Sequence, residues 1–265
     1  MVKVKIQGIS CSPRHANTEV TVKWALDSAR ELPGVETELI SLVGKEIKPC
    51  NMCYRCVDAP KDNPCPGISD DDFREIALKM AEADGYVIGT YADFHSAASH
   101  FHILKGRLMS FELSHLGHVG LRCKVVGATC VGMLPNGGQN TAILQVLSWA
   151  IENDMYVVMC GPEKGLTCGG NTGACGSTCS LSGCAEMVRN RSMVPVNSKE
   201  EKALIMEDEV CKIQSQMLGK RVAETAKVIK AGYAAVPREE LQWAYGPISG
   251  GYQLGGGFKS GKKEA

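Results

Sequence analysis

Residues 3–9 have the sequence Lys-Val-Lys-Ile-Gln-Gly-Ile and residues 10–18 the sequence Ser-Cys-Ser-Pro-Arg-His-Ala-Asn-Thr, and this stretch decides the fold. The first seven residues alternate between polar and apolar side chains, which predicts a β-strand. The next nine form a polar loop. Apolar residues then recur at helical spacing from Val22 to Leu32, and Pro33-Gly34 ends the helix. A strand, a loop and a helix in this order are the repeating unit of α/β sheets.

The same unit repeats along the chain to about residue 165. Further strands are predicted at Val35–Leu42, Gly85–Gly89, Lys124–Val131 and Met155–Cys160, and helices after Asp70-Asp71-Asp72, through Phe101–Phe111 and over Ile143–Ala150. Strands that alternate with helices predict a parallel sheet covered on both faces. We therefore predict an α/β fold, a flavodoxin-like doubly wound sheet of five parallel strands in the order 2-1-3-4-5, with ligands at the carboxyl ends of the strands. This first domain spans residues 1–165.

The chain changes character in its second part, residues 166–265. A stretch rich in glycine, cysteine, serine and threonine comes first. Residues 198–231 then form a long amphipathic helix, whose apolar side comprises Leu204, Val210, Ile213, Met217, Val222, Ala226 and Ile229. With this apolar side, the helix is expected either to mediate assembly between subunits or to pack on its own domain. We assign residues 166–265 to a cysteine-rich loop, this helix and a C-terminal extension.

Composition excludes several classes of function. The 265 residues carry 29 basic and 29 acidic side chains, so the chain has no basic footprint for nucleic acid or for a membrane surface. No apolar run reaches the length of a transmembrane helix, and the N-terminus lacks the apolar core of a signal peptide. We expect a cytoplasmic protein. Its 13 cysteines then indicate metal binding or redox chemistry rather than disulfides, and they favour an anaerobic host.

Four cysteines after the second strand, Cys50, Cys53, Cys56 and Cys65, form the strongest motif. Three thiols at three-residue intervals fit no single helix face, because position i+6 has rotated away from position i. The spacing suits a loop wrapped around one compact group, and four thiolates with C-x2-C-x2-C spacing are the usual ligands of a [4Fe–4S] cluster. Zinc and unliganded thiols are the alternatives, although zinc sites usually pair two cysteine knuckles across a longer loop.

The loop between the first strand and the first helix is a candidate phosphate site. Ser12 and Thr18 offer hydroxyls, Asn17 an amide and Arg14 a guanidinium, next to the backbone N–H groups of a helix N-terminus. The loop has neither G-x-G-x-x-G nor a Walker lysine, which favours a mononucleotide over a dinucleotide or a nucleoside triphosphate. The alternative is an ordinary helix start capped by Asn17 or Thr18.

The two motifs together resemble those of the iron–sulfur flavoproteins, which belong to the wider group of NADPH-dependent FMN reductases. The resemblance covers residues 1 to about 160 and continues at Asp70-Asp71-Asp72-Phe73, at Thr90–Arg107 and at Asn136-Gly137-Gly138-Gln139. It implies that the phosphate of FMN lies on Ser12, Arg14, Asn17 and Thr18. It also implies that the isoalloxazine ring lies on the loop after Cys160 and on the loop of Thr90, Tyr91, Ala92, Asp93, Phe94, His95 and Ser96.

The resemblance further implies a homodimer or homotetramer in which the cluster of one subunit lies near the flavin of another. The chain departs from the family where Tyr91-Ala92-Asp93 replaces Pro-Val-Tyr and where eight residues separate Cys56 from Cys65. Asp93 would bring a carboxylate to the ring and disfavour a reduced anionic flavin. His95, whose loop should face the ring, is the candidate catalytic residue for proton transfer.

The remaining cysteines carry weaker signals. A second group, Cys168, Cys175, Cys179 and Cys184, is not part of the family pattern. Its irregular spacing leaves three interpretations open: a second iron–sulfur cluster, a zinc site, or redox-active thiols. Cys11, Cys123 and Cys130 are expected to behave as small buried hydrophobic residues.

We expect an FMN-dependent oxidoreductase that transfers electrons between a [4Fe–4S] cluster and FMN, to or from a redox partner such as ferredoxin or NAD(P)H. One alternative is a stand-alone NAD(P)H- or ferredoxin-dependent reductase that acts on a small molecule such as a quinone or an aromatic. Another is a non-redox zinc module for protein interaction. No nucleophile–base constellation stands out in the sequence, which disfavours hydrolysis.

Overall fold

The computed structural model describes residues 1–56, 59, 62–114, 121–132, 138–160, 209–237 and 240–241. Over these residues one sheet contains β1 (Val4–Ser10), β2 (Val35–Ser41), β3 (Gly85–Tyr91), β4 (Val125–Val131) and β5 (Tyr156–Val157). Every neighbouring pair is parallel and the order is β2-β1-β3-β4-β5, so the predicted topology is confirmed. Strand β5 is shorter than the predicted Met155–Cys160, because it lies at the sheet edge and pairs with only Val125 and Val126 of β4.

The helices of the described ranges are α1 (Asn17–Arg30), α2 (Phe73–Ala81), α3 (Ser99–Ser114), α4 (Gln139–Glu152) and α5 (Glu209–Ala235). Helix α2 begins directly after the three aspartates, as predicted. Helix α5 ends four residues later than the predicted 198–231, and residues 198–208 lie outside the described residues. None of these helices is long and apolar enough to cross a membrane.

Helices α2, α3 and α4 cover one face of the sheet. Phe73 and Phe101 of the helices pack there in one buried cluster with Ile9 and Ile88 of the strands. Parallel strands that are covered on both faces need apolar side chains on both sides, and β4 accordingly is buried along its whole length.

Helices α1 and α5 cover the opposite face. The buried cluster on this face includes Val22, Ala25, Leu26, Val87, Leu218, Val222 and Ala226. The two helices cross closely, since a Cβ at Gly219 would lie 1.9 Å from the carbonyl oxygen of Ala25. Val222 and Ala226 of the predicted apolar side therefore pack within the subunit, the second of the two predicted uses, whereas Ile213 and Met217 are only half-buried.

Candidate functional site

The loops that contain the predicted cofactor residues meet at one edge of the sheet. All strands are parallel, so β1, β3 and β4 end at the same edge. The chain leaves β1 for a helix on one face and leaves β3 for a helix on the other, which makes the point between them the switch point where doubly wound sheets bind ligands. The Cys11 N–H donates to the Gly89 carbonyl oxygen across this point at 2.8 Å.

The loop after β1 makes a tight turn in front of α1. The Ser12 hydroxyl accepts from the Arg14 N–H at 3.2 Å and donates to the Arg14 carbonyl oxygen at 3.0 Å. Ala16 is the N-cap of α1 and no side chain caps it, so the alternative that Asn17 or Thr18 caps this helix is wrong. An N-terminus without a side-chain cap presents backbone N–H groups to an anion. Asn17 and Thr18 are buried in the first turn, whereas Arg14 is exposed beside it.

A buried carboxylate lies in the first turn of α1. Glu19 accepts hydrogen bonds from Lys23 Nζ at 2.6 Å and from Ser41 Oγ at 2.8 Å, and it pairs with His15 Nδ1 at 2.7 Å. Burial alone would raise the pKa of Glu19, but these partners together hold the pKa below its ordinary value. Lys23 compensates the charge, which reduces the repulsion that a phosphate would meet here. Sequence reasoning did not single out Glu19, because a glutamate in a first helical turn is common.

We expect Glu19→Gln to lower the free energy of unfolding by about 1 kcal/mol at pH 7, because the amide loses the charge-assisted hydrogen bonds. The folded pKa lies below the unfolded value of 4.5, so this stabilisation is present above pH 4.5 and is lost as the pH falls through the folded pKa. Urea denaturation at pH 7 and in more acidic buffer measures the difference, with Glu36→Gln on the exposed side of β2 as control. If the difference in free energy of unfolding between wild type and Glu19→Gln stayed the same in acidic buffer, Glu19 would not be ionised at pH 7.

The loop after β3 closes in a tight turn. Asp93 and Ser96 exchange two backbone hydrogen bonds of 2.8 and 2.9 Å. The buried Thr90 hydroxyl accepts from the Ala98 N–H at 2.9 Å, so it fastens the far side of the loop to the end of the strand. The turn is therefore built by the loop's own atoms, in the segment that was predicted to support the flavin ring.

The tip of this turn carries two residues in the left-handed region of backbone conformation. Phe94 has a φ of 45° and His95 a φ of 63°, which costs on the order of 1–3 kcal/mol for such residues and is typical of functional loops. Phe94 is 99% exposed, so its ring is not part of the core. Gly138, with a φ of 100°, packs against the tip: a Cβ at this position would lie 2.2 Å from the Cα of His95. His95, the candidate for proton transfer, thus lies exposed at the tip of this turn, next to Gly138.

Two side chains that sequence reasoning missed hold the base of the turn. Gln145 of α4 accepts from the Ala97 N–H at 2.7 Å and from the Ser96 hydroxyl at 3.0 Å. His102 Nε2 contacts the same hydroxyl at 2.9 Å. Burial, followed by the charge of Lys105, lowers the pKa of His102, which favours a neutral ring. Among the five histidines between residues 95 and 118, the sequence gives no signal that marks His102.

The two loops start side by side, because Ser10 at the end of β1 pairs with Gly89 near the end of β3. Burial, followed by the charge of Asp93, raises the pKa of the Tyr91 phenol at the start of the second loop. Nearby, the buried hydroxyls of Ser10 and Thr129 find no hydrogen-bond partner within the described ranges. A cation, an uncapped helix N-terminus and unsatisfied hydroxyls at one sheet edge fit an anionic ligand such as FMN.

The four cysteines of the predicted cluster motif lie on the loop between β2 and α2. Cys53 is exposed, Cys50 and Cys65 are half-buried, and Cys56 is buried. Burial raises the pKa of the Cys56 thiol, and the nearby Cys65, Cys50 and Cys53 raise it further. Cys56 is therefore within electrostatic reach of each of the other three thiols. No three His, Cys, Asp or Glu side chains of the described residues already stand in a metal-binding arrangement.

The backbone of this loop is shaped around the thiols. The Met52 N–H donates to the Sγ of Cys50 at 3.4 Å, and hydrogen bonds to sulfur are a means of tuning iron–sulfur clusters. Met52 and Tyr54 have φ values of 54° and 56°, so the chain turns sharply between successive cysteines. A Cβ at Gly67 would lie 2.4 Å from the Sγ of Cys53, which shows how closely the backbone approaches that thiol. The donor chemistry and this cradle fit a thiolate-bound cluster.

The three aspartates before α2 close the loop at its base. The Asp72 N–H donates to the Glu46 carbonyl oxygen, and the Glu46 N–H donates to Asp72 Oδ2, both at 2.8 Å. Asp71 Oδ2 accepts from the Lys48 N–H at 2.9 Å, and Asp70 pairs with Lys48 Nζ. The aspartates thus do more than start a helix. They join residues 45–48 to residues 70–72, and we call these two segments the loop base.

The other nine cysteines lie outside this loop; of these, Cys211 is buried and Cys160 is half-buried. Cys11 and Cys130 are buried, as predicted, and burial raises the pKa of Cys11 to about 12, so its thiol stays protonated. Cys123 differs from the prediction, because it is half-buried and its Sγ accepts a hydrogen bond from the Tyr233 hydroxyl at 3.1 Å. Cys168, Cys175, Cys179 and Cys184 lie outside the described residues.

Comparisons with known proteins agree with this geometry. A family model described as NADPH-dependent FMN reductase matches residues 4–161. An iron–sulfur flavoprotein of Methanocaldococcus jannaschii is 34% identical over 228 residues, which cover 86% of this chain and 100% of that protein. An iron–sulfur flavoprotein of Methanosarcina thermophila is 33% identical over 156 residues, 58% of this chain and 77% of that protein. The chain has the same fold as the crystal structure of RosB with the bound intermediate 8-demethyl-8-formylriboflavin-5'-phosphate, with a TM-score of 0.50. The two sequences are 17% identical, and the match covers 91% of this chain and 88% of the RosB chain.

The family match, on this fold, defines a flavin-dependent oxidoreductase. The chain belongs to the NADPH-dependent FMN reductase family and, within it, to the iron–sulfur flavoproteins. Its function is flavin-based redox chemistry.

Proposed function

We propose that this chain transfers electrons between a [4Fe–4S] cluster bound by Cys50, Cys53, Cys56 and Cys65 and an FMN bound at the carboxyl edge of the sheet. One observation carries the proposal: β2, which leads into the four-thiol loop, lies next to β1, which leads into the uncapped N-terminus of α1. When both groups are bound, the cluster supplies one-electron transfer and FMN exchanges one or two electrons.

The proposed FMN site divides its tasks between two loops. The Ser12 turn, the Arg14 guanidinium and the first N–H groups of α1 at Asn17 and Thr18 bind the phosphate. The segment from Thr90 to Ser96 supports the ring, and His95 at its tip holds the proton that accompanies flavin reduction. The pairing of Ser10 with Gly89 supports this assignment, because it places the starts of the two loops side by side.

Four thiols must lose their protons when the proposed cluster binds. Burial raises the pKa of Cys56, so that thiol is protonated at neutral pH unless a metal replaces the proton. The backbone N–H of Met52 then stabilises the charge on the Cys50 sulfur. Cluster binding is accordingly expected to release protons and to weaken in acid.

The composition of anaerobically purified protein tests the proposal. We expect visible bands of a flavin, a broad shoulder that dithionite bleaches, about one FMN, and about four iron and four sulfide per chain. About eight iron would assign a second cluster to Cys168, Cys175, Cys179 and Cys184. A colourless protein that contains zinc would reject the redox proposal in favour of a zinc module.

A second candidate function is a stand-alone reductase, which the description of the matching family as NADPH-dependent favours. Oxidation of NADPH by a quinone or an aromatic acceptor, without ferredoxin, measures it. A chain that instead needs ferredoxin for turnover is an electron-transfer flavoprotein. We place either function in the cytoplasm and in a homodimer or homotetramer.

A further inference from the structure

The largest fully buried side chain of the described structure belongs to a charged residue that has no role so far. Arg107, in the middle of α3, is 1% exposed, and its ion-pair partner Asp71 has a side chain that is also 1% exposed. A buried ion pair adds little net stability, because desolvation offsets the attraction, and an apolar pair of equal volume is often as stable. The location of this pair therefore needs a reason other than stability.

The guanidinium of Arg107 holds the backbone on both sides of the thiol loop. Its Nη1 donates to the Lys48 carbonyl oxygen at 2.9 Å, two residues before Cys50. Its Nη2 donates to the Ile68 carbonyl oxygen at 3.1 Å, three residues after Cys65. A guanidinium is planar and its donors diverge at fixed angles, so one side chain sets the separation of the two ends of the loop.

Asp71 holds the same ends from the other side. Its Oδ2 accepts from Arg107 Nη1 at 2.5 Å and from the Lys48 N–H at 2.9 Å, and its Oδ1 accepts from the Phe73 N–H at 3.1 Å. The Phe73 ring lies below the guanidinium, with Cζ of Arg107 4.3 Å from the ring centroid. The pair is thus packed and bonded on several sides, and it has little freedom to shift.

The pair also connects the thiol loop to the flavin loop. The Ile68 N–H donates to the Cys65 carbonyl oxygen at 3.4 Å. Because Arg107 binds the carbonyl oxygen of Ile68, a single residue connects Arg107 to the candidate ligand Cys65. Helix α3, which carries Arg107, starts at Ser99, directly after the loop that was assigned to the flavin ring. Arg107 lies eight positions after Ser99 along the helix, a rigid span of about 12 Å.

We propose that Arg107 and Asp71 are a positioning pair that fixes the thiol loop in the geometry needed for the cluster and at a set distance from the flavin loop. The proposal rests on the proposed function. Neither residue touches a thiol; both act through Lys48, Ile68 and Cys65. Residues that orient ligands in this indirect way typically change metal affinity about 10–100-fold when they are replaced.

Iron release and cluster potential test the pair in the cofactor-loaded protein. In Arg107→Met we expect iron to pass to a chelator roughly 10–100-fold faster than in wild type under anaerobic conditions, with FMN content unchanged. Its cluster potential should become more negative, because a buried cation near the loop is lost. Arg107→Lys keeps the charge but loses the planar fork, so it should release iron faster while the cluster potential stays near that of wild type.

A matched control is Arg122→Met, which removes an arginine that pairs with Asp154 at 3.1 Å, away from the loop base. It should release iron at the wild-type rate. Wild-type release rates in both Arg107 variants would overturn the positioning role. So would parallel loss of FMN and iron in Arg107→Lys, which would make Arg107 a general folding residue.

Failure of this inference is distinguishable from failure of the proposed function. A wild-type protein without iron rejects the proposed function before any variant is made. An iron-loaded wild type whose Arg107 variants hold iron as firmly as it does rejects only the positioning pair.

Discussion

Replacing Cys53 by alanine is expected to reduce the iron content from about four to less than about one per chain, while FMN stays bound. Cys53 is one of the four cysteines of the proposed cluster motif, and three thiolates leave one iron of a cube without a protein ligand. The FMN candidates lie on other loops, so the flavin bands should persist. Iron, sulfide and FMN assays on anaerobically purified protein measure both results.

Cys123→Ala is the control for this prediction, because Cys123 lies just before β4, outside the thiol loop. The Cys123→Ala protein should keep its iron. Gly67→Ala tests whether the position of the Cys53 thiol matters when the thiol itself is kept. All four thiols remain, but the new Cβ would lie 2.4 Å from the Sγ of Cys53, so that thiol must turn away from its present position and the cluster content should fall. A full cluster in Cys53→Ala would refute the assignment of this loop as the cluster site.

The second large effect is expected at the flavin loop. Gly138→Ala should weaken FMN binding about 10–100-fold and leave the iron content unchanged. Alanine at a φ of 100° is strained, and its Cβ would lie 2.2 Å from the Cα of His95, a backbone atom that cannot move without the turn. A cost of about 1.4–2.8 kcal/mol, within the usual range for such strain, corresponds to that loss of affinity.

Gly106→Ala is the matched control, since it lies in α3 and an added Cβ meets nothing within 4 Å. Alanine is the better helix former, so this variant should bind FMN as wild type does and should not lose stability. Fluorescence titration of FMN into flavin-stripped protein measures both affinities. If Gly138→Ala bound FMN as tightly as Gly106→Ala, the loop of residues 90–96 would not support the flavin.

The sheet could be predicted from the sequence because its signals are local. Buried strands and amphipathic helices alternate, and parallel strands linked through helices have few allowed orders. The start of α1 was harder to place, since the apolar pattern begins at Val22 whereas the helix begins at Asn17. Its first-turn residues Asn17, Thr18 and Glu19 are polar and nevertheless buried, as expected where a helix end lies at a ligand site.

The partners of the site residues could not be predicted, because they are distant in the chain. Arg107 and Asp71 are 36 residues apart, and Gln145 and Ser96 are 49 apart. A single sequence carries no signal that pairs them. The three aspartates give a second example. Their acidic side chains predicted the start of α2, but their hydrogen bonds to residues 45–48 depend on the path of the thiol loop between the two segments.

The position of α5 has a consequence for how this protein unfolds. The Ser28 hydroxyl donates to the Gln216 carbonyl oxygen and Lys230 pairs with Asp84, so α5 is bonded both to α1 and to the residue just before β3. Leu218 and Val222 of α5 pack in one buried cluster with Val22 and Val87. The described part of the second region therefore shares the core of the first, and we expect the two to lose their structure in a single cooperative transition.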